Sequence, residues 1–222
     1  EEIDAARFFN PDMVEAAFKT LEYSFDAHKI RDYLLKKIEE TNLAKILYST
    51  SIESVEKSGE DYLLNLTDKQ KVKTPHVVNA TYSGINEVIN IFGFEPFELK
   101  HEQCEITLCK VSPELSAVGI TVIDGPFFSL MPFGTSGLHS LSAVSYTPGK
   151  TSHGDIPSTD EKTRWESMHQ VAKKYLLPSL TCEYDSSLFT TKTVLKVAEL
   201  DDARHTIVKK HSEAPALTSI FS

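Results

Sequence analysis

The chain has 222 residues, 41% hydrophobic and 25% charged, with a formal net charge of −9. That length and composition suit one or two globular domains with a sizeable core. A pI near 5.4 opposes nonspecific binding to nucleic acid or anionic membranes, which need basic patches, so neither is an expected partner.

Three cysteines, Cys104, Cys109 and Cys182, cannot build a disulfide framework. With no Cys-x-x-Cys pair, and with His153, His205 and His211 at unsuitable spacings, no metal is expected. No apolar run reaches the length of a membrane span. No signal peptide is visible, and a reducing cytoplasm is the default location.

In chain order, Asn10-Pro11 predicts a short helix through Thr20, with Asn as N-cap and Pro at the first helical position. Asp26 caps a second helix with an apolar stripe of Ile30, Leu34, Leu35 and Ile38. Lys45 to Ser51 reads as a strand. Ser54–Lys57 and Asp61–Thr67 read as a hairpin around Ser58-Gly59, with Tyr62, Leu64 and Leu66 on one face. Pro75 precedes a buried strand from His76 to Ala80.

A second, strand-rich region follows the turn at Tyr82-Ser83-Gly84. Its expected strands are Glu102–Val111, Ser116–Asp124, Phe127–Met131 and Leu138–Tyr146. The last two are joined by a tight loop, with Pro132 withholding a ladder donor and Gly134 and Gly137 supplying positive φ. Ser158-x-x-Glu161 reads as a capping box for a helix from Asp160 to Leu177. Trp165, Met168, Ala172, Tyr175 and Leu176 recur on it at helical spacing, as a core stripe does. Lys192–Glu199 and Arg204–Lys210 read as closing strands. The expected fold is α+β, a mainly antiparallel sheet with packed helices.

Ser129-Leu130-Met131-Pro132-Phe133-Gly134-Thr135-Ser136-Gly137-Leu138-His139-Ser140-Leu141 resembles a hairpin of a known family. It is the substrate-domain hairpin of the FAD-dependent oxidoreductases related to D-amino-acid oxidase, glycine oxidase and glycerol-3-phosphate dehydrogenase. The segment from Glu22 through the second helix, the strand-like Ala44–Val55, Val77-Val78-Asn79-Ala80-Thr81-Tyr82-Ser83-Gly84 and Asp201-Asp202-Ala203-Arg204 resemble further family segments in the same order. The family's opening Gly-x-Gly-x-x-Gly turn, which holds the FAD pyrophosphate, does not occur. The resemblance therefore implies a fragment: residues 1–90 as the outer part of an FAD-binding domain, 91–190 as a substrate-binding domain, and 191–222 as a return segment.

On this resemblance Ile52 would meet the adenine through its backbone, and Ala80 and Thr81 would lie beside the adenosine. Each is equally an ordinary residue of its strand. Tyr82 stands where the family has Gly directly after Thr, which sets bulk against a close cofactor approach. The substrate side would be the inner face of the sheet near Phe128, Met131, Phe133, His139 and Tyr146, with His139 and Tyr146 as catalytic candidates. A strand His is otherwise a surface or satisfied core residue. Phe133 replaces a basic residue that many relatives carry. Arg204 would bind an anionic group, or else bridge locally to Asp201 or Asp202.

The function implied is the substrate-binding part of an FAD-dependent oxidoreductase acting on a small molecule, with FAD bound weakly or not at all by these residues alone. The alternative is a non-catalytic binding or assembly module. A homodimer is left open.

Overall fold

The computed structural model describes residues 1–123, 127–158, 162–196 and 206–222. Strands β1 (Glu2–Ile3) and β2 (Ala17–Phe18) form a short antiparallel ladder. The helix expected from Asn10 to Thr20 does not form. Asn10 accepts from the Asp12 backbone N–H at 3.1 Å, and Met13 N–H closes one turn onto Asn10 O. The chain then leaves to pair with β1 and bury Ala17.

Helix α1 (Ala27–Thr41) starts where the sequence predicts. The Asp26 side chain accepts from His28 and Lys29 N–H, and Asn42 ends the helix in the left-handed region. None of its residues is buried, and Ile30 and Leu34 stay about half exposed. No strand forms over 45–51. Ser49 has a φ of 53°, which breaks an extended run.

Strands β3 (Ile52–Ser58), β4 (Asp61–Leu66) and β5 (Lys71–Thr74) make a three-stranded antiparallel sheet. Gly59, at a φ of 66°, turns the first hairpin, and Tyr62, Leu64 and Leu66 are buried on one face as predicted. β6 (His76–Asn79) forms, but only its Asn79 is buried; Val78 is 63% exposed. The short helix α2 (Ile85–Ile91), where no element is expected from the sequence, buries Ile85 and Ile89 one turn apart.

Next come β7 (Leu99–Val111), β8 (Ile120–Thr121), β9 (Phe128–Pro132), β10 (His139–Ala143) and β11 (Pro148–Ser152). Helix α3 (Trp165–Tyr175) and strands β12 (Cys182–Leu195), β13 (Ile207–Glu213) and β14 (Ala216–Phe221) follow. β7 pairs with β10, β11 and β12, and the sheet continues through β9 to β8. β14 pairs β13 antiparallel and β6 in parallel. The strand expected at Ser116–Asp124 shrinks to β8, because a 3-10 turn at Pro113–Leu115 buries Leu115 and Val118 N–H bonds back to it. β12 starts ten residues before the strand expected at Lys192. The capping box at Ser158–Glu161 and the turn Asp201–Arg204 fall on positions outside the described residues.

The chain forms two units. Unit 1 comprises Glu1–Ala44, Gln103–Lys150 and Thr159–Thr190; unit 2 comprises Lys45–Glu102, Thr151–Ser158 and Thr191–Ser222. Residues 1–44 thus join the strand-rich unit rather than 45–90. The reason is local: Phe9 bridges Leu176, Leu177 N–H bonds Phe8 O, and Asn10 N–H bonds Tyr175 O.

Unit 1 packs α3 on β9 and β10. Phe128, Leu130, Leu141, Met168 and Ala172 are fully buried there, and Trp165 is 7% exposed. Each of the Phe, Leu and Met side chains contributes roughly 1.5–3 kcal/mol by leaving water. Glu105 is buried beside them. It accepts from Thr163 Oγ1 at 2.5 Å, Ser187 Oγ at 2.6 Å, and Arg164 N and Nε at 2.8 and 3.3 Å. Unit 2 has two smaller cores, around Tyr62, Leu64, Leu66 and Leu217 and around Ile85, Ile89, Leu99 and Phe221.

Candidate functional site

In unit 1 the β9–β10 register fixes which side chains share a face. His139 faces Pro132, Leu141 faces Leu130 and Ala143 faces Phe128 across the ladder. With a side-chain period of two, these point to the face packed under α3. Phe128 is fully buried with its ring 5.8 Å from that of Tyr175. His139 is 2% exposed. Its Nε2 lies 3.2 Å from Val118 O, and its Nδ1 is buried without a hydrogen-bond partner. Burial pushes its pKa down, against the pull of the Val118 and Leu115 carbonyls.

Met131 points the other way. It faces Ser140 across the ladder, and Ser129 faces Ser142. Thr121 Oγ1 lies 3.3 Å from Ser129 Oγ. This second face carries half-buried hydroxyls around one thioether. Phe133 lies in the loop before β10, its N–H bonded to Leu138 O, whereas Tyr146 lies in the turn after β10 and is 37% exposed.

The five residues expected to roof one pocket, Phe128, Met131, Phe133, His139 and Tyr146, do not share one face. Phe128 and His139 belong to the core face, Met131 to the opposite face, and Phe133 and Tyr146 to opposite ends of β10. Apolar residues in a hairpin do not by themselves say which face meets a ligand. Arg204 lies outside the described residues.

In unit 2, Ile52 opens β3, while Ala80 and Thr81 follow β6 on a different sheet. Thr81 N–H and Oγ1–H both donate to Asn79 Oδ1, at 3.3 and 2.8 Å. Tyr82 adopts a φ of 53°, so it makes the sharp bend that Gly would make. Its ring stacks on Phe221 at 5.7 Å, and its hydroxyl lies 3.0 Å from Thr193 N and 3.1 Å from Thr193 O.

Ile52 and the Ala80-Thr81 pair thus belong to different sheets, and Tyr82 directs its bulk onto Phe221. No Gly-rich turn opening a helix is present for the pyrophosphate, and α2 has no side-chain cap at Gly84. By themselves they do not make a flavin site.

Unit 2 also contains a cavity of about 560 Å³ that the sequence reading missed. Its walls come from α2 with Asn86 and Glu87, the start of β7 with Leu99 and His101, the 153–156 loop, and Lys196. His101 is 2% exposed and its Nδ1 lies 2.8 Å from Thr193 Oγ1. Burial lowers its pKa, while the Gly154 carbonyl and the Glu87 charge act in the opposite direction. The walls are separated in sequence by up to 113 positions, from Ser83 to Lys196, so no local motif marks them. Among the described residues no group of three or more His, Cys, Asp or Glu is arranged to hold a metal ion. No helix among them is long and apolar enough to cross a membrane.

No protein-family model matches the chain. No curated protein matches its sequence. Solved structures do match in fold. Iminodiacetate oxidase from Chelativorans sp. BNC1 aligns with a TM-score of 0.61 at 11% identity, covering 87% of this chain and 48% of that one. Glycine oxidase from Bacillus cereus ATCC 14579 aligns at 0.57 and 15% identity, covering 81% and 45%. L-proline dehydrogenase from P. horikoshii aligns at 0.56 and 13% identity, covering 87% and 49%.

The chain therefore shares its fold with these three structures, in a mainly antiparallel α+β form. It spans just under half the length of each of these structures.

Proposed function

We propose that this chain is the substrate-binding part of an FAD-dependent oxidoreductase that oxidises a small metabolite, with the flavin as hydride acceptor. The observation carrying this reading is the fold likeness to iminodiacetate oxidase over 87% of the chain. FAD supplies the redox chemistry in such enzymes, and the protein binds, orients and shields the substrate.

Here the sheet of unit 1 is the substrate side. Met131 with Ser129, Ser140 and Ser142 offers a small surface of hydroxyls and one apolar group, suited to orienting a small polar molecule. Phe128 and His139 form the layer beneath and hold the hairpin's shape. Phe133 and Tyr146 mark its two ends.

The test compares this chain with the longest protein encoded across its coding region. Each is incubated with FAD, separated from free flavin, and mixed anaerobically with candidate metabolites. Residues 1–222 should retain little flavin, and the longer protein should retain it and bleach with its substrate. In that protein Met131→Arg should slow bleaching with flavin content unchanged. A longer protein that never holds flavin, or a coding region adding nothing and a chain that takes up none, would favour a non-catalytic module instead.

A further inference from the structure

In unit 2 the sheet β13–β14–β6 has two edges of opposite character. β13 is guarded. Lys209, Lys210 and Glu213 stand on it, and its register shifts between Lys210 and Ser212. Charges and bulges of this kind block the addition of another strand. β6 is not guarded. His76-Val77-Val78-Asn79 contains no Lys, Arg, Asp, Glu or Pro, and its register against β14 is unbroken.

The backbone of β6 shows which of its groups that edge offers. Ala216 N–H bonds Pro75 O across the β14–β6 ladder at 2.8 Å. Peptide groups alternate sides along a strand, so Val77 and Asn79 turn theirs toward β14, and His76, Val78 and Ala80 turn theirs away. His76 is answered locally. Its N–H lies 3.3 Å from Thr74 Oγ1, and that hydroxyl donates to its carbonyl at 2.9 Å. No described strand takes up Val78 or Ala80 on this side.

The same sheet has one uncovered face. Leu217, Ser219, Phe221 and Asn79 are buried on the inner face. On the outer face Val208 stands opposite Ile220, and Val78 opposite Thr218. Val208 is 68% exposed, Val78 63% and Ile220 39%. Three β-branched side chains thus form a row in water beside a parallel strand pair, and sheets built on parallel pairs are ordinarily covered on both faces.

We infer that β6 is a docking edge for a strand-and-helix unit carried by a longer polypeptide that includes residues 1–222. The strand adds alongside β6 and bonds Val78 and Ala80, and the helix after it lays an apolar stripe over Val208, Ile220 and Val78. A strand alone would leave the row exposed, and a helix alone would leave the edge unpaired. Main-chain bonds supply affinity in strand addition, and alternate side chains supply selectivity. About half of each solved structure of this fold lies outside its match to the chain, which leaves room for such a unit. The inference goes beyond the oxidoreductase reading and does not rest on it.

The test is amide hydrogen exchange on residues 1–222 and on the longest protein encoded across its coding region. All samples are free of flavin, so a longer protein that never holds flavin leaves the result standing. In residues 1–222 Val77 and Asn79 should be protected, and Val78 and Ala80 should exchange faster by about tenfold or more. In the longer protein Val78 and Ala80 should slow to match Val77 and Asn79, with no gain along the outer edge of β13. These comparisons need no variant. Val78→Lys in the longer protein should restore fast exchange at Ala80. Val72→Lys, at an exposed valine of β5 outside this sheet, should not. A coding region that adds no strand and helix, or equal exchange of Val78 and Ala80 in both proteins, would overturn the inference. So would protection gained at β13 instead, an equal effect of Val72→Lys, or concentration-dependent protection in residues 1–222, which would give the edge to a second copy.

Discussion

The carboxylate of Asp26 lies 2.8 Å from Thr135 Oγ1 and 3.1 Å from Thr135 N, although 109 residues separate the two. The same carboxylate caps α1, so one side chain ties an otherwise exposed helix to the β9–β10 loop. Gly134 makes this approach feasible: a Cβ there would sit 2.8 Å from the Asp26 carboxyl carbon, at a φ of 54°. Asp26→Ala should therefore speed amide exchange at His28, Lys29 and Thr135 together. Gly134→Ala should do the same by pushing the Asp26 carboxylate aside, with the cap residue itself unsubstituted. The Thr135 hydroxyl, with the backbone N–H groups of Lys29, Thr135 and His28, lowers the Asp26 pKa to about 2. A depressed carboxylate stabilises above its usual value near 3.8 and loses that contribution as pH falls toward 2. Protection at these amides should fade across that window.

Glu105 gives a stronger acid-side prediction. Burial pushes its pKa up, but hydrogen bonds from Ser187, Thr163 and Arg164 outweigh burial and hold it below the usual carboxylate range. Its contribution is thus full at neutral pH and lost only well into acid. Removing one partner of a buried ionic cluster costs on the order of 3–5 kcal/mol. Glu105→Ala should approach that loss in urea denaturation at pH 7. Glu105→Gln, which keeps shape and some acceptors, should lose less.

Tyr82 combines a strained φ with two contacts at Thr193. Tyr82→Phe keeps the ring on Phe221 but leaves the Thr193 N–H unmatched, a loss of about 1–3 kcal/mol for a buried donor. Tyr82→Gly relieves the backbone yet also forfeits the stack, so it should melt below Tyr82→Phe. Thermal unfolding of the three proteins gives the order. Tyr82→Gly melting above the parent would show that backbone strain dominates.

Four histidines, His101, His139, His169 and His211, have pKa values lowered mainly by burial. The unfolded chain then binds more protons than the folded one below about pH 6.5. Stability should fall as pH drops from about 6.5 toward each folded value, above the carboxylate windows. His139→Gln should flatten part of that slope, since burial opposes charging of a ring whose Nδ1 has no hydrogen-bond partner. A slope unchanged in His139→Gln would assign the effect to the other three.

Much of the fold was legible because local rules agreed with tertiary context. Asp26 capped α1, Gly59 turned β3 into β4, and Trp165 with Met168 and Ala172 lined the buried face of α3. Failures came where long-range pairing decided the outcome. Asn10-Pro11 supplied a helix start, yet Ala17 was claimed by β1. β12 begins at Cys182 in a polar, serine-rich run whose only periodicity is imposed by β7. The hairpin residues were read as one group without being sorted by face, since a register of one residue separates Leu130 from Met131. The unit 2 cavity left no local trace at all.

Each unit is assembled from three separate stretches of chain, and β7 and β12 contribute residues to both. Translation delivers residues 1–44 of unit 1 long before Gln103–Lys150 and Thr159–Thr190 exist to receive them. Closing such distant pairings costs loop entropy before any contact rewards it, which slows folding. For the same reason no single cut releases either unit intact: a protease nick between Ala44 and Lys45 severs one unit's first stretch while leaving its other two on the far side of the break.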